Sequence, residues 1–262
     1  MTKSNSYLKV FWELLKTDFY VYRQSMVDWV INTIIWASCT IISFAYIFPI
    51  AGMTKDFAVF VAVGTVISCI YWDIWSTSYT FIADLEGERT IDYSLTLPLP
   101  NYLVLTKYIV SYAIKGGLPA LITLPLAKLF LWNSMSFHNF SILKFTIIFL
   151  LSAIFMGSFS LFITSRISRM TQIENIGLRF LFPIWFFGGS NYSWKMIEGV
   201  APTMAKINLI NPLIYPMEGI RVAVLGQPGY INFFVCVLMT IFFTILFGFM
   251  GINKLKNRLD FV

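Results

Sequence analysis

Long apolar runs alternate with short polar segments along almost the whole chain. A helix needs roughly 20 apolar residues to cross the ~30 Å hydrocarbon core of a bilayer, because it rises about 1.5 Å per residue. Six runs are candidates, and the fifth is short for a crossing by itself: residues 29–50, 57–83, 102–131, 142–164, 176–189 and 231–251. The pattern therefore predicts an all-α integral membrane protein with six transmembrane helices.

A different periodicity precedes the first span. Apolar residues recur there every three or four positions, as at Leu8 and Phe11, while Lys9 and other charged residues occupy the positions between them. This spacing gives a helix one apolar and one charged face, which suits a position along the membrane surface. We predict an N-terminal amphipathic interface helix over residues 1–28 and a six-span domain over residues 29–262.

The connection between the fifth and sixth spans is long and is not polar enough to be a free loop. Apolar residues in it are interleaved with glycine, proline, asparagine and a few charges. Helices broken at membrane depth are tolerated where protein or a water-filled cavity covers the freed backbone groups. We therefore predict a re-entrant helical hairpin on the external side over about residues 188–221.

Composition narrows the class of protein. The chain of 262 residues is 58% hydrophobic and 12% charged, about half the charged fraction of soluble domains. This balance excludes a soluble enzyme, a disordered tail and a disulfide scaffold. The net charge of +6 comes from basic residues that lie mostly at span ends on one side of the membrane. The positive-inside bias of membrane proteins indicates that this side is cytoplasmic. These residues do not form the continuous basic patch that binding to nucleic acid would need. We expect a multi-pass protein among the lipids of the cell inner membrane, with both termini cytoplasmic and no nucleic-acid partner.

The connection after the second span, over about residues 84–100, is rich in acids and so runs against that bias. Its charged residues can face outward while apolar residues pack against the membrane side, and Pro98 stops the helix. A short amphipathic helix with an acid-rich face suits docking to a protein. Two other interpretations stay open here: a solvated loop, and a metal-bound phosphate site of an integral membrane transferase acting on a lipid phosphate at the cytoplasmic face. The charged residues are Asp84, Glu86, Glu88, Arg89 and Asp92.

Two motifs in this frame resemble those of the permeases of type-two ABC exporters. The first follows the second span and consists of Glu88, Arg89, Thr90, Ile91, Asp92, Leu95 and Pro98. The second precedes the last span and includes Asn211, Pro212, Leu213, Ile214, Tyr215, Glu218 and Arg221. The resemblance covers essentially the whole chain, although the turn after the fifth span lacks a proline that many relatives carry, and Thr90 follows Arg89 without an intervening glycine.

This resemblance implies a permease subunit with no enzymatic activity of its own. Two permease chains, expected as a homodimer, would form an export path, and two cytoplasmic ABC ATPase subunits would bind ATP and magnesium. This chain would hold neither cofactor nor metal, and its sequence has no GxxxxGK[ST] phosphate loop. The residues expected to couple it to the ATPase are Glu86, Glu88, Arg89, Asp92 and Leu95. The external hairpin would include Asn211, Pro212, Tyr215, Glu218 and Arg221.

Ionisable residues inside the predicted spans are candidates for function, because charge in a bilayer is costly. Asp73 and Lys115 either line a translocation path or form a structural pair. Aromatic residues make up 18% of the chain and favour an amphiphilic cargo, for which a lipid-linked glycan, a lipid and a drug all fit. A passive channel or an assembly scaffold, which needs no nucleotide, is a further alternative. The candidates for the substrate path are Trp72, Asp73, Trp75, Lys115 and Tyr192.

Overall fold

A computed structural model describes residues 3–52 and 54–259, and the regular structure within these ranges is entirely helical. Residues 1–2 of the predicted interface helix and residues 260–262 of the predicted six-span domain lie outside the described residues. The helices are α1 (Lys3–Ile42), α2 (Lys55–Glu86), α3 (Thr90–Thr96), α4 (Asn101–Ala120), α5 (Thr123–Phe130), α6 (Ile142–Thr164), α7 (Thr171–Ile176), α8 (Phe182–Phe186), α9 (Trp194–Val200), α10 (Pro202–Asn208), α11 (Ile214–Leu225) and α12 (Phe233–Leu259).

The first helix joins two elements that the hydropathy pattern separates. The predicted interface helix and the first predicted span form one continuous helix, α1, which goes on through a π turn (Ser43–Ile47) and a 3-10 turn (Phe48–Ala51). No proline or glycine occurs between residues 3 and 48 to interrupt the backbone hydrogen bonds. The helical run ends at Gly52, whose φ of 89° is left-handed.

Within the described residues, five helical segments are long and apolar enough to cross a membrane, so the chain is an all-α, multi-pass membrane protein. The predicted fifth span is not among them. It forms a bent segment that consists of α7, a π turn (Gly177–Leu181) and α8, and it reaches only about 24 Å at 1.5 Å per residue. The five segments are Tyr7–Ala51, Asp56–Glu86, Asn101–Phe130, Ile142–Thr164 and Phe233–Leu259.

The centre of the fold is α6, which packs against α2, α4, α11 and α12. Glycines let two of these neighbours approach closely. Gly157 of α6 lies directly against the carbonyl oxygen of Ile109 in α4, and a Cβ on Gly251 of α12 would stand 2.9 Å from the backbone nitrogen of Phe162. Small residues at such crossings bring helix backbones together, which is how packing substitutes for the hydrophobic effect inside a membrane.

The two ends of the helix bundle are built differently. At one end, which we call the α3 end, the short helix α3 joins α2 to α4, and Arg258 near the end of α12 donates hydrogen bonds to the carbonyl oxygens of Ile167 and Ser168. At the opposite end, which we call the hairpin end, α9 and α10 pack against each other and are followed by α11. We use "hairpin" for α9 and α10.

Candidate functional site

The acid-rich connection folds into α3, and Asp84 holds that helix in place. Asp84 is in the last turn of α2, and its carboxylate accepts hydrogen bonds from the backbone nitrogens of Thr90 (3.0 Å) and Ile91 (3.1 Å) and from the Thr90 hydroxyl. A carboxylate in this position satisfies the free N–H groups of a helix N-terminus and complements its dipole. The side chain therefore fixes the angle between α2 and α3, a role that the sequence pattern does not reveal.

The other predicted coupling residues fall into two groups. Glu88 and Arg89 are exposed in the turn before α3, and Arg89 takes a left-handed φ of 53°. Asp92 and Leu95 are half-buried, and Leu95 packs against the hydrophobic core, as its place in the pattern predicts. Tyr93 is 71% exposed on the outer face of α3, and sequence reasoning missed it because an aromatic residue in an amphipathic helix is normally assigned to the buried face.

Glu86 links the end of α2 to the bent segment. It is exposed, and its carboxylate accepts a hydrogen bond of 3.2 Å from the backbone nitrogen of Met170, which directly precedes α7. With Asp84 facing α3 and Glu86 facing α7, the acids of this connection point in different directions. Among the described residues no three His, Cys, Asp or Glu side chains gather closely enough to hold a metal ion.

Inside the bundle, the structure brings Asp73 of α2 and Lys115 of α4 together. The Lys115 Nζ lies 3.7 Å from the Asp73 Oδ1 and donates to the hydroxyls of Ser76 at 3.0 Å and Thr77 at 3.4 Å. The Thr77 hydroxyl in turn donates to Asp73 at 3.1 Å, and the Lys115 Nζ stands 4.5 Å from the ring centre of Trp29 in α1. The pair thus ties α1, α2 and α4 to one polar cluster.

This cluster belongs to a row of three cavities along α1, which we call the α1 track. The cavity towards the α3 end has a volume of about 290 Å³, the middle one about 310 Å³ and the one towards the hairpin end about 360 Å³. Trp29 and Lys115 line both of the first two cavities, and Trp36 lines both of the last two. The track therefore runs along one side of the bundle from the α3 end to the hairpin end.

Polar side chains and aromatic rings line the same cavities of the α1 track. The middle cavity is lined by Asp73, Lys115 and Ser76 together with three tryptophans, and the cavity at the hairpin end by serine, threonine and asparagine beside Trp36 and Trp185. Two buried polar atoms of lining residues, the Trp72 Nε1 and the Ser190 Oγ, have no hydrogen-bond partner in the described part of the chain.

The remaining residues predicted for the substrate path lie elsewhere. Trp75 does not line the track; its ring packs directly on Gly177 in the π turn of the bent segment. Tyr192 lies near the hairpin, where its hydroxyl oxygen stands 3.3 Å from the Asn208 Nδ2. Of the predicted path residues, Trp72, Asp73 and Lys115 are thus the three that share a cavity.

At the hairpin end, Glu218 and Arg221 form a fully buried pair. They lie three residues apart on α11 with 3.8 Å between charged atoms, as their spacing predicts. Arg221 donates to the carbonyl oxygens of Gly189 and Ser190 at 2.6 and 2.8 Å, and its guanidinium stacks 3.7 Å from the ring centre of Phe60. A planar guanidinium suits this task because it can serve several acceptors at once.

Glu218, the other member of the pair, binds backbone groups near the starts of α9 and α12. Its carboxylate accepts hydrogen bonds from the backbone nitrogens of Trp194 (3.2 Å) and Ile231 (3.0 Å), at the starts of the hairpin and of the last span. Burial raises the pKa of Glu218 above its ordinary value, while Arg221 and the two N–H donors act in the opposite direction. Burial likewise lowers the pKa of Arg221 to about 10. The pair therefore fixes the turn after α8, the hairpin and α12 relative to one another.

The other residues predicted for the external hairpin, Asn211, Pro212 and Tyr215, lie at or just before the start of α11. Asn211 donates from its side-chain nitrogen to the carbonyl oxygen of Ile184 at 2.8 Å, and Pro212 follows it in the turn before α11. The Tyr215 hydroxyl donates to the carbonyl oxygen of Leu209 at 2.7 Å. These residues hold α10 and α8 to the start of α11.

Near the α3 end, α1 is fastened to α4 by a second ion pair. The Nζ of Lys107, almost fully buried, lies 3.0 Å from the Asp18 Oδ2, and the Ser111 hydroxyl donates to the same carboxylate. Hydropathy alone assigned Lys107 to the excess of basic residues at span ends and gave no sign of its partner. This pair joins α1 to α4, and other residues of both helices line the first track cavity.

Comparison of the chain with protein-family models and with curated proteins found no match in either set.

Proposed function

We propose that this chain is the permease subunit of an ATP-driven ABC exporter. Two copies, as a homodimer, would move an amphiphilic or lipid-linked substrate, such as a glycan, a lipid or a drug, outward through a path between them. The observation that carries the proposal is the α1 track, in which three cavities run from the α3 end to the hairpin end along α1 and α2. Its lining of hydroxyls, tryptophans and a charged pair suits a cargo with both polar and apolar parts.

The connections around α3 supply a mechanical link to an ATPase. Asp84 attaches α3 to α2, and Glu86 attaches the end of α2 to the bent segment through the backbone nitrogen of Met170. A force applied to α3 is therefore delivered to α2 and to the bent segment. Trp72 of α2 and Trp185 of α8 both line the track, so movement of these elements changes its shape. Nucleotide and magnesium would bind to the partner ATPase.

The proposal includes the orientation and the dimer. The α3 end would face the cytoplasm, in line with the basic residues there, and the membrane would be the cell inner membrane. The bent segment would be a crossing in addition to the five long segments. About residues 188–221, which include α9, α10 and most of α11, would form the re-entrant hairpin beside it on the external side. The outer face of α1 carries exposed apolar residues, including Ile31 and Ile35, next to the track. This face would meet the second copy and close the path.

The test is the capture of an ATPase from native membranes. Tagged chain is solubilised in mild detergent, purified and examined by mass spectrometry and for ATPase activity. The Glu88→Lys variant, at an exposed position before α3, should lose the ATPase because it reverses a charge on the docking surface. Glu198→Lys, an equally exposed charge reversal on α9 at the opposite end, is the matched control and should retain it. Both side chains are exposed, so neither variant disturbs the core.

Two results would contradict the proposal. If wild-type chain purifies with no nucleotide-binding partner, the exporter is rejected, and a membrane transferase or a passive channel takes its place. If an ATPase is present but both variants retain it equally, the partner does not dock at α3.

A further inference from the structure

A fourth cavity lies on a different side of the bundle from the α1 track. Its volume is about 730 Å³, about twice that of the largest track cavity and within the range of about 300–1,000 Å³ that ligand sites take. It is bounded by α6, the bent segment, the hairpin and α12. We call it the acyl groove. Residues of α8 separate it from the track, because Trp185 lines the track whereas its neighbour Ile184 lines the groove.

The walls of the acyl groove are almost entirely hydrocarbon. At the end far from the hairpin, four rings from three elements are clustered, with centroid distances of 4.7 Å between Phe162 and Phe247 and 5.0 Å between Phe159 and Phe247. At the hairpin end, Met204 and Ile207 of α10 continue the apolar lining. None of the lining residues is charged.

The few polar groups on the wall are already bonded to the protein. The Asn208 Nδ2 stands 3.3 Å from the Tyr192 hydroxyl. The Asn211 side chain donates to Ile184 and accepts from the backbone nitrogen of Leu213 at 3.0 Å. A polar ligand would find little to bind, whereas an apolar chain loses nothing by contact with these walls.

The surroundings of the groove indicate which apolar chain is available. Both α6 and α12 lie in segments that are long and apolar enough to cross a membrane, and apolar residues that line the groove, such as Phe187 and Met204, are exposed. The groove is open, so at this depth it faces lipid tails. Hydrocarbon therefore fills it at no cost in desolvation.

Charge at the hairpin end matches a phospholipid. Lys195 of α9 and Lys206 of α10 are both exposed, and Glu198 is the only acid on the two helices. An apolar groove with cations beside one end is complementary to a lipid that carries an acyl chain below a phosphate.

We propose that the acyl groove is a binding site for one phospholipid, with an acyl chain along the aromatic cluster and the phosphate at the lysines of the hairpin. The site is separate from the α1 track and does not depend on the exporter proposal. A lipid there contacts α8 and the hairpin together and so stabilises the packing of the hairpin on the bent segment.

The experiment uses the full chain in nanodiscs of phosphatidylcholine that contain a small fraction of phosphatidylglycerol with a photoactivatable diazirine on one acyl chain. After illumination, labelled residues are mapped by mass spectrometry. Label should concentrate on residues 180–187 and 204–212, and Met204→Trp, which fills the groove, should reduce it several-fold. Val200→Trp, at an 88% exposed position on the same hairpin outside the groove, is the matched control and should label like wild type.

The headgroup is tested with the lysines. Replacement of either Lys195 or Lys206 by Gln should lower the labelling of the groove by about fivefold at low salt, and the double variant should show both losses. Replacement of Lys254 and Lys256 by Gln, near the α3 end, should leave the labelling of the groove unchanged. The proposed lipid site would be overturned if the label spread evenly over the outward faces of the helices, or if wild type and Met204→Trp were labelled equally. Either result would show contact with bulk lipid only. Equal labelling after the hairpin lysines are replaced would overturn the phosphate assignment. No ATPase takes part, so either failure leaves the exporter proposal standing.

Discussion

Separating a structural from a functional role for Asp73 and Lys115 requires removing the charges one at a time and then together. The Lys115→Met variant keeps a side chain of similar length but deletes the ammonium group. The variant therefore loses the contacts that the Lys115 Nζ makes with the Asp73 Oδ1, the Ser76 hydroxyl and the Trp29 ring. Asp73 keeps a single partner, the Thr77 hydroxyl at 3.1 Å.

The expected cost follows from the burial of the pair. Loss of one partner from a buried ion pair typically costs about 3–5 kcal/mol, because the other charge stays behind uncompensated. The Lys115 side chain is 3% exposed and that of Asp73 is 20% exposed, so the remaining carboxylate keeps some contact with the track cavity. We therefore expect about 3 kcal/mol, the lower end of that range. For a chain of this size this corresponds to a fall in Tm of about 6–12 °C.

The assay is thermal unfolding in one detergent for wild type, Lys115→Met, Asp73→Asn and the double variant. The double variant leaves no buried charge, so it should recover about 2 kcal/mol relative to Lys115→Met. Lys16→Met removes an exposed lysine paired with Glu13 at 2.9 Å and is the matched control, expected to change stability by less than about 1 kcal/mol. A loss at Lys115 no larger than at Lys16, or a double variant no more stable than Lys115→Met, would refute the argument.

The same four proteins separate the two roles of the pair. If the pair is structural, the double variant should regain the ATPase activity of the complex along with its stability. If the pair contacts the substrate, stability should return while stimulation of the ATPase by transport substrate stays lost. This second measurement depends on the exporter proposal, whereas the thermal measurement does not.

Three further changes test other parts of the structure. Arg221→Lys keeps the charge but loses the planar fork, so carbonyl oxygens in the turn after α8 lose a donor; we expect a loss of about 1–3 kcal/mol and faster hydrogen exchange in that turn, and wild-type exchange would contradict this. Asp84→Ala removes the cap of α3 and should cost about 1–2 kcal/mol and admit trypsin at Arg89, and an unchanged digest would argue against the cap. Gly177→Val drives a side chain into the Trp75 ring and should cost about 1–3 kcal/mol or more, whereas Gly199→Val meets open space and should not; equal Tm values would disprove the contact.

The sequence pattern was sufficient to predict those features that depend on residues close together in the sequence. The lengths of the apolar runs predicted membrane-spanning helices, and five segments in the described part of the chain are long and apolar enough to cross a membrane. The pairing of Glu218 with Arg221 was also predictable, because residues three apart share one face of a helix. A short helix after the second span followed from its amphipathic spacing and from Pro98.

The sequence pattern did not show which neighbours several residues would contact. Trp75 lies three residues after Trp72 on the same helix, but of the two only Trp72 lines the track, since Gly177 leaves room for the Trp75 ring. Asp84 and Glu86 look like members of one acidic cluster, but each is directed at a different helix terminus. The shortness of the bent segment was visible in its hydropathy, although its π turn was not.

The sequence by itself thus determined that the chain is helical and crosses a membrane, since length, hydropathy and periodicity are properties of each segment alone. Only the tertiary structure decided which polar groups meet, as when Arg221 reaches the carbonyl oxygen of Phe60, 161 residues away, or Lys115 reaches Asp73. It also decided where the α1 track and the acyl groove lie. The physical reason is that contacts between distant helices depend on how closely their backbones approach, and that distance is set by the packing of all of them together.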